Sequence, residues 1–438
     1  MRCAKAALWP HGCESGWAMA DPGPALVVAL ERGLTPADLD TERKIARLIR
    51  QIAPPDPAHL PLDEALAAQM RQALAAGRRV ILIGDLPPPV LSALTSRIGA
   101  PGAKVLAAPP GARRLAALRA LIGAAPFAFA GPDPALRAAA ATVLPPAPSP
   151  PALPLRALRP HHWIKNLLVL LPLIAAHRWG EPTLWLHALL ALMAFCLCSS
   201  AVYLLNDLID LPDDRAHPDK RHRPLAAGQL SPRFALTAVA VLLVLSALLA
   251  ALAGALAEIV LYALAALAYS LWLKTRVLVD LFWLVGLYLL RVLAGGAATG
   301  ITTSDWLLAL SGLVFASLAC AKRGAELTGV AAGTLPLPHR RGYLPEDRAL
   351  LTAAGLAAAF ATQIVLLLYL QESRAAALYA HPGWLMVGGA VILGWLMRIW
   401  LLVGRGAMGA DPIVFALHDR ASLAACAALI VSFLLAAG

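Results

Sequence analysis

The stretch from Asn206 to Leu230, NDLIDLPDDRAHPDKRHRPLAAGQL, holds side chains whose types and spacing could do chemistry. On a helix Asn206, Asp210 and Asp214 fall at i, i+4 and i+8, on one face over successive turns, with Asp207 on the next ridge. Stacked carboxylates at a helix end repel one another and call for a cation. Oxygen ligands of mixed charge suit Mg²⁺, which takes one or two carboxylates and completes its shell from substrate phosphates. Arg215, Lys220, Arg221 and Arg223 follow directly, and guanidinium forks match phosphate oxygens. His217 could hold a phosphate or shuttle a proton. Carboxylates, a divalent metal and guanidinium groups together describe a diphosphate site, in which the neutralised diphosphate can leave an electrophilic carbon. The competing reading is a solvated loop whose charges only set membrane topology. Against it, the Asn/Asp face continues an apolar run, and Pro218, Pro224 and Gly228 punctuate the basic stretch.

Three further charged regions adjoin apolar segments. Tyr269, Lys274 and Asp280 lie in YSLWLKTRVLVD, and Arg291 follows eleven residues after Asp280. Charge inside an apolar span is costly and is usually paired or functional, so Arg291 is either a substrate ligand or half of a pair with a buried carboxylate. Lys274 and Arg276 could also snorkel to headgroups. The next region joins AKRGAEL, with Lys322 and Glu326 as i, i+4 partners, to HRRGYLPEDR, where Arg341 and Tyr343 could contact a phosphate. The last, Arg405 to Leu423, contains Asp411, His418 and Asp419 and reads as a structural cap on the final span.

The elements that must position these residues are membrane helices. The chain has 438 residues, of which 59% are hydrophobic and 14% charged, well below the roughly 25% charged of soluble domains. Up to about Pro154 it reads as soluble; beyond that, apolar stretches dominate. A bilayer core takes about 20 apolar helical residues, and backbone in lipid must satisfy its own hydrogen bonds. Nine spans are predicted, near 163–176, 184–206, 234–253, 256–273, 277–299, 305–321, 350–370, 382–404 and 413–436. Links after the even-numbered spans hold thirteen Lys or Arg, against Arg178 and Arg374 on the opposite links. The positive-inside rule makes the rich side cytoplasmic, along with the N-terminal domain, and leaves the C-terminus outside. The net charge of +11 then reflects these loops. A basic surface interleaved with aromatics is missing, so nucleic acid is excluded as a partner.

Of six cysteines, Cys196, Cys198, Cys320 and Cys426 lie in apolar segments, and none has a metal spacing. Met1 to Asp21 lacks the apolar core of a secretory signal. Residues 24–145 alternate short apolar runs with Ala-rich helical stretches, the pattern of a parallel α/β sheet. The Pro-rich stretch 146–154 reads as a linker, giving domains 1–145 and 155–438.

Asn206 to Gly228 resembles the first aspartate-rich motif of the UbiA superfamily of intramembrane prenyltransferases. The resemblance covers about residues 155–438. It implies nine transmembrane helices around a central cavity, with Asn206, Asp207, Asp210 and Asp214 holding Mg²⁺ and a diphosphate. RPHHWIKN (Arg159 to Asn166), Tyr269–Lys274–Asp280, Lys322–Arg323–Glu326 and Asp411–Pro412 resemble the decaprenyl-phosphate phosphoribosyltransferase branch. That implies transfer of 5-phosphoribose from phosphoribosyl diphosphate to a polyprenyl phosphate in the bacterial inner membrane. Asp207, Asp210, Asp214, Lys274 and Asp280 would then be catalytic. Lys165, Asn166, Tyr269, Arg291, Lys322, Arg323, Arg341 and Tyr343, with the basic residues after Asp214, would bind substrate. Aromatic prenyltransferases of the superfamily carry a second motif with two carboxylates four apart; here Lys274 and a single Asp280 stand in its place. The alternatives are a prenyltransferase joining a prenyl diphosphate to an aromatic or other small acceptor, and a lipid-binding or transport protein. The N-terminal domain weakly resembles haloacid-dehalogenase-like phosphatases. Ala29 stands where the nucleophile belongs and Gly131-Pro132 where an acidic metal ligand belongs, so a catalytically dead domain is implied, with Arg114 as a remnant of the Lys motif.

Overall fold

The computed structural model describes residues 23–48, 56–144, 155–218, 220–333, 342–372, 377–408 and 411–438. The Pro-rich stretch and Arg341 lie outside the described residues. Packing divides the chain into two units, one of Met1–Leu39 and Pro54–Ser149, the other of Asp40–Ala53 and Pro150–Gly438.

In the first unit, β1 (Ala25–Ala29), β2 (Val80–Gly84), β3 (Lys104–Ala107), β4 (Phe127–Ala130) and β5 (Thr142–Leu144) form a parallel sheet in the order β3-β2-β1-β4-β5. The near-continuous Val, Ile, Leu and Phe runs follow from a sheet covered on both faces. Leu26, Val28 and Leu30 enter one apolar cluster, and Ala25, Val27 and Ala29 the other, as a period of two requires. Helices α2 (Glu64–Ala75), α3 (Pro88–Arg97), α4 (Ala112–Ile122) and α5 (Pro134–Ala139) connect the strands. Beyond the strands' carboxyl ends, buried Arg114 lies 3.4 Å from Glu31 and 3.9 Å from Asp133. Asp133 follows the Gly131-Pro132 pair and caps α5 through the Ala135 amide.

The second unit takes in α1 (Leu39–Leu48), then α6 (Leu155–Leu158), a 3₁₀ helix (Pro160–Leu170), α7 (Leu171–Ala175), α8 (Pro182–Ile209), α9 (Leu211–Ala216), α10 (Pro232–Ala253), α11 (Leu256–Leu271), α12 (Val279–Thr299), α13 (Asp305–Ala331), α14 (Arg348–Leu370), α15 (Gly383–Gly404), α16 (Pro412–His418) and α17 (Arg420–Ala437). Among the described residues seven helices are long and apolar enough to cross a membrane, and α11 is a shorter apolar one. The protein is an integral membrane protein. Helix α10 shows how such a helix packs: Ala235, Val239, Leu242, Ser246 and Ala250 are buried, while Val241, Val244, Leu248 and Leu252 stay exposed where lipid would lie. Small residues permit the close approach, and the Ser246 hydroxyl donates to the Ala194 carbonyl of α8 at 2.8 Å.

Four expectations change. The first span is a 3₁₀ helix followed by five α-helical residues, with Pro160 at its start and Pro172 after it. The predicted continuous face from Asn206 to Asp214 is broken at Asp210, which ends α8 and caps α9. Pro212 has no N–H to continue the ladder. The sixth span does not stop at 321: α13 runs to Ala331 and carries Lys322, Arg323 and Glu326 inside a helix. The ninth span is split at Asp419, which accepts the Ser422 amide and pairs with Arg398 at 2.6 Å.

Candidate active site

The end of α8 and the start of α9 bring two carboxylates onto one guanidinium. Arg223 Nη1 donates to Asp207 Oδ1 at 3.1 Å and to Asp214 Oδ2 at 2.5 Å. Arg159 also pairs with Asp207. Beside them Asp210 accepts Lys274 Nζ at 2.7 and 3.0 Å and the Asn206 side-chain amide at 2.9 Å. Burial pushes the Asp214 carboxyl up to about 6; Arg223 opposes this and the Asp207 charge adds to it. Two buried carboxylates this close need a cation between them, and Arg223 supplies one. Among the described residues no three His, Cys, Asp or Glu side chains are arranged as a complete metal cage. Two carboxylates plus the Asn206–Asp210 pair fit Mg²⁺ nevertheless, because that ion keeps positions for water and phosphate oxygens.

His162 and Lys165 lie three apart in the 3₁₀ helix, on which side chains at i and i+3 eclipse, and Arg159 precedes His162 by three residues. Arg159 sits at the cap with φ of 52°, a left-handed conformation that costs about 1–2 kcal/mol outside glycine. Its guanidinium lies 5.2 Å from the Tyr203 ring, and the His162 ring lies 4.9 Å from the same ring. The His162 Nδ1 is buried with no hydrogen-bond partner among the described residues. Lys165 Nζ reaches Asp411 Oδ2 at 2.5 Å, and Lys322 Nζ lies 3.9 Å from the same oxygen. Burial raises the Asp411 carboxyl, but Lys322 and Lys165 more than offset that and hold it well below the usual carboxylate range. Asp411 also caps α16 through the Ile413 and Val414 amides. The opposite ridge, Trp163 and Asn166, faces α8 through Ser200 and Ser199. Gly295 of α12 admits this helix: a Cβ there would lie 1.9 Å from the Val169 carbonyl oxygen.

The remaining predicted residues form two buried networks. Arg323, 1% exposed, donates to Asp280 at 2.7 Å, to Glu326 at 2.9 Å and to the Tyr269 hydroxyl at 2.7 Å. Tyr343 donates to Asp280 at 2.6 Å and accepts the Leu278 amide at 2.9 Å. Glu326 pairs at i−3 with Arg323, and its charge also acts on Lys322. Arg291 donates to Asn166 Oδ1 at 2.8 Å, the Leu287 carbonyl at 2.5 Å and the Tyr262 hydroxyl at 2.9 Å, with its guanidinium 4.7 Å from the Tyr262 ring. Among the described residues neutral groups, and not the buried carboxylate of one alternative, partner Arg291.

The sequence pattern of the UbiA prenyltransferase family matches residues 167–423. The chain belongs to this family. An uncharacterized protein, y4nM, from Sinorhizobium fredii is 40% identical over 61% of this chain and 52% of its own length. Nodulation protein NoeC from Azorhizobium caulinodans is 35% identical over 61% of this chain and 87% of its own. Decaprenyl-phosphate phosphoribosyltransferase from Mycobacterium tuberculosis is 39% identical over 39% of this chain and 59% of its own. The chain thus spans about half the length of the first of these relatives. A solved structure of a UbiA homolog from Archaeoglobus fulgidus bound to GPP and Mg²⁺ aligns with 17% identity and a TM-score of 0.49, over 64% of this chain and 99% of that one.

Within this UbiA bundle the predicted residues separate. Asn206, Asp207, Asp210, Asp214, Arg223 and Lys274 come together, and Lys165 meets Lys322. Asp280, Arg323, Tyr269 and Tyr343 form a sealed network instead, and Arg291 and Asn166 another. Arg215 turns away from the acidic cluster to Glu42 and the Ala226 carbonyl. Arg221 contacts His222 at 3.4 Å, and His217 and Lys220 have partners of their own. Sequence reading gave no site role to Arg159, His162, Tyr203 or Asp411. The period of three from Arg159 to Lys165 was the available signal for the first two.

Proposed function

We propose that the protein transfers 5-phosphoribose from phosphoribosyl diphosphate to a polyprenyl phosphate. The observation that carries this is the pair of distinct anion sites: the Asp207–Asp214 cluster with its basic partners, and the Lys165–Lys322 pair about Asp411. A reaction between two phosphorylated substrates needs two such places. The name of the 39%-identical mycobacterial relative supports the same reading. Asn206, Asp207, Asp210 and Asp214 would hold Mg²⁺, which when bound neutralises the diphosphate leaving group. Arg159, Arg223 and Lys274 exchange carboxylate partners for diphosphate oxygens. Lys165 and Lys322 hold the lipid phosphate and direct one oxygen at the anomeric carbon, where a C–O bond forms as diphosphate departs. His162 lies between the two in the chain, and its buried Nδ1, unpartnered among the described residues, is available for a substrate hydrogen bond. The Lys/Arg bias puts this chemistry on the cytoplasmic side of the inner membrane.

The test is an assay of solubilised protein with Mg²⁺, polyprenyl phosphate and labelled phosphoribosyl diphosphate. Label enters the organic phase, chelation stops it, and Asp207→Asn slows it about hundredfold. Absence of label transfer, with prenylation of an aromatic acid from a prenyl diphosphate, would replace this reading with the aromatic-acceptor alternative.

A further inference from the structure

Arg215 directly follows Asp214 in α9, yet its side chain serves another surface. Nη1 and Nη2 form a fork on Glu42 of α1, both at 2.8 Å, and Nε donates to the Ala226 carbonyl at 3.2 Å. Two neighbouring contacts repeat the link. Arg233 Nε donates to the Thr41 hydroxyl at 2.8 Å. Ile45 packs on the cluster that contains Leu208, Leu211, Leu225 and Leu230. Thr41, Glu42 and Ile45 share one face of α1, and Lys44 is exposed on another. The segment Asp40–Ala53 belongs with the membrane unit, although unit-one sequence flanks it on both sides.

We propose that α1 is a positioning element of the transferase site, acting through Glu42 and Arg215; this rests on the reading of Asp207, Asp214 and Arg223 as the diphosphate site. The loop that matters runs from Asp214 to Arg223, whose side chains meet at 2.5 Å. Arg215 ties its two ends together, since it sits beside Asp214 and bonds Ala226, three residues past Arg223. A planar guanidinium with one oxygen on each fork tine is fixed in distance and orientation. Glu42 supplies that fixed point from outside the loop. Without it Arg215 loses its anchor, and Asp214 and Arg223 lose their register. Glu42 touches no reacting group, so its effect appears in diphosphate affinity.

The experiment uses full-length protein and Mg²⁺ with inorganic diphosphate as the probe. Calorimetry measures binding, and hydrogen exchange reads the backbone of Leu211–Ala216. Glu42→Ala is expected to speed exchange there and weaken Mg²⁺–diphosphate binding about tenfold, the lower end for loss of a supporting partner. Glu42→Gln, which keeps an acceptor oxygen for Arg215, is expected to fall between. Lys44→Ala is expected to change neither. Unchanged exchange in Glu42→Ala, or faster exchange with wild-type affinity, overturns the role of α1 while leaving the diphosphate site standing. Wild-type protein that binds no Mg²⁺–diphosphate overturns the diphosphate site itself, and the positioning role with it.

Discussion

Two carboxylate–guanidinium clusters lie at opposite extremes of access. Arg323 and Asp280 are 1% and 0% exposed, and the Asp280 carboxylate accepts from Arg323 and from the Tyr343 hydroxyl. Arg223, which bridges Asp207 and Asp214, keeps 26% of its side chain exposed. Charge type and geometry are similar. What differs is whether one partner can leave. A sealed pair has no alternative partner, so it specifies helix packing. A pair with one wet member can trade a carboxylate for a phosphate, so it can bind. Sequence reading assigned both clusters to chemistry because it sees residue type and cannot see access.

The largest expected effect tests the sealed cluster. Asp280→Ala strands a buried guanidinium, and breaking such a pair costs about 3–5 kcal/mol; unfolding in detergent checks this. Near-native stability there would erase the distinction. Next, Asp207→Asn should keep the fold and lower phosphoribosyl transfer about hundredfold, the usual scale for losing one electrostatic contact at the reacting centre. Initial rates beside a melting curve separate the two. Smaller again, Lys165→Ala should raise the KM for polyprenyl phosphate roughly tenfold, in line with about 1.5–3 kcal/mol for a charged hydrogen bond, with kcat for bound substrate less affected. The smallest effect is in pH. The Asp214 carboxyl stands near 6 against an ordinary 3.8. A raised carboxyl favours the fold while protonated, so its contribution is complete below 3.8 and lost as pH rises through about 6. With metal chelated, the melting temperature should fall by a few degrees between pH 5 and 7, at roughly 2–4 °C per kcal/mol. Asp214→Asn should remove that slope.

Much of the bundle was legible because lipid imposes one rule on every span. The runs that became α10, α12, α14 and α15 could be marked within a few residues from apolarity alone. The parallel sheet was legible from the same kind of pattern. The break at Asp210 was not, although Pro212 announced it: a face drawn at i, i+4, i+8 assumed an unbroken helix. The true pair, Asp207 and Asp214, is joined by Arg223 from a turn that no periodicity describes. Lys165 and Asp411 are 246 residues apart, and only tertiary structure brings them together. The site of the first span failed for a third reason, because a search for 3.6-residue periods passes over a repeat of three.

That repeat makes the segment a ruler. At about 2.0 Å per residue, the six steps from the Arg159 cap to Lys165 measure roughly 12 Å along the axis. Rewound as an α-helix, the same residues would span about 9 Å, with Lys165 swung about a third of a turn aside. The winding of one short segment therefore gauges the gap between the Asp207 end and the Asp411 end, which in the proposed reaction is the separation of the two phosphorylated substrates.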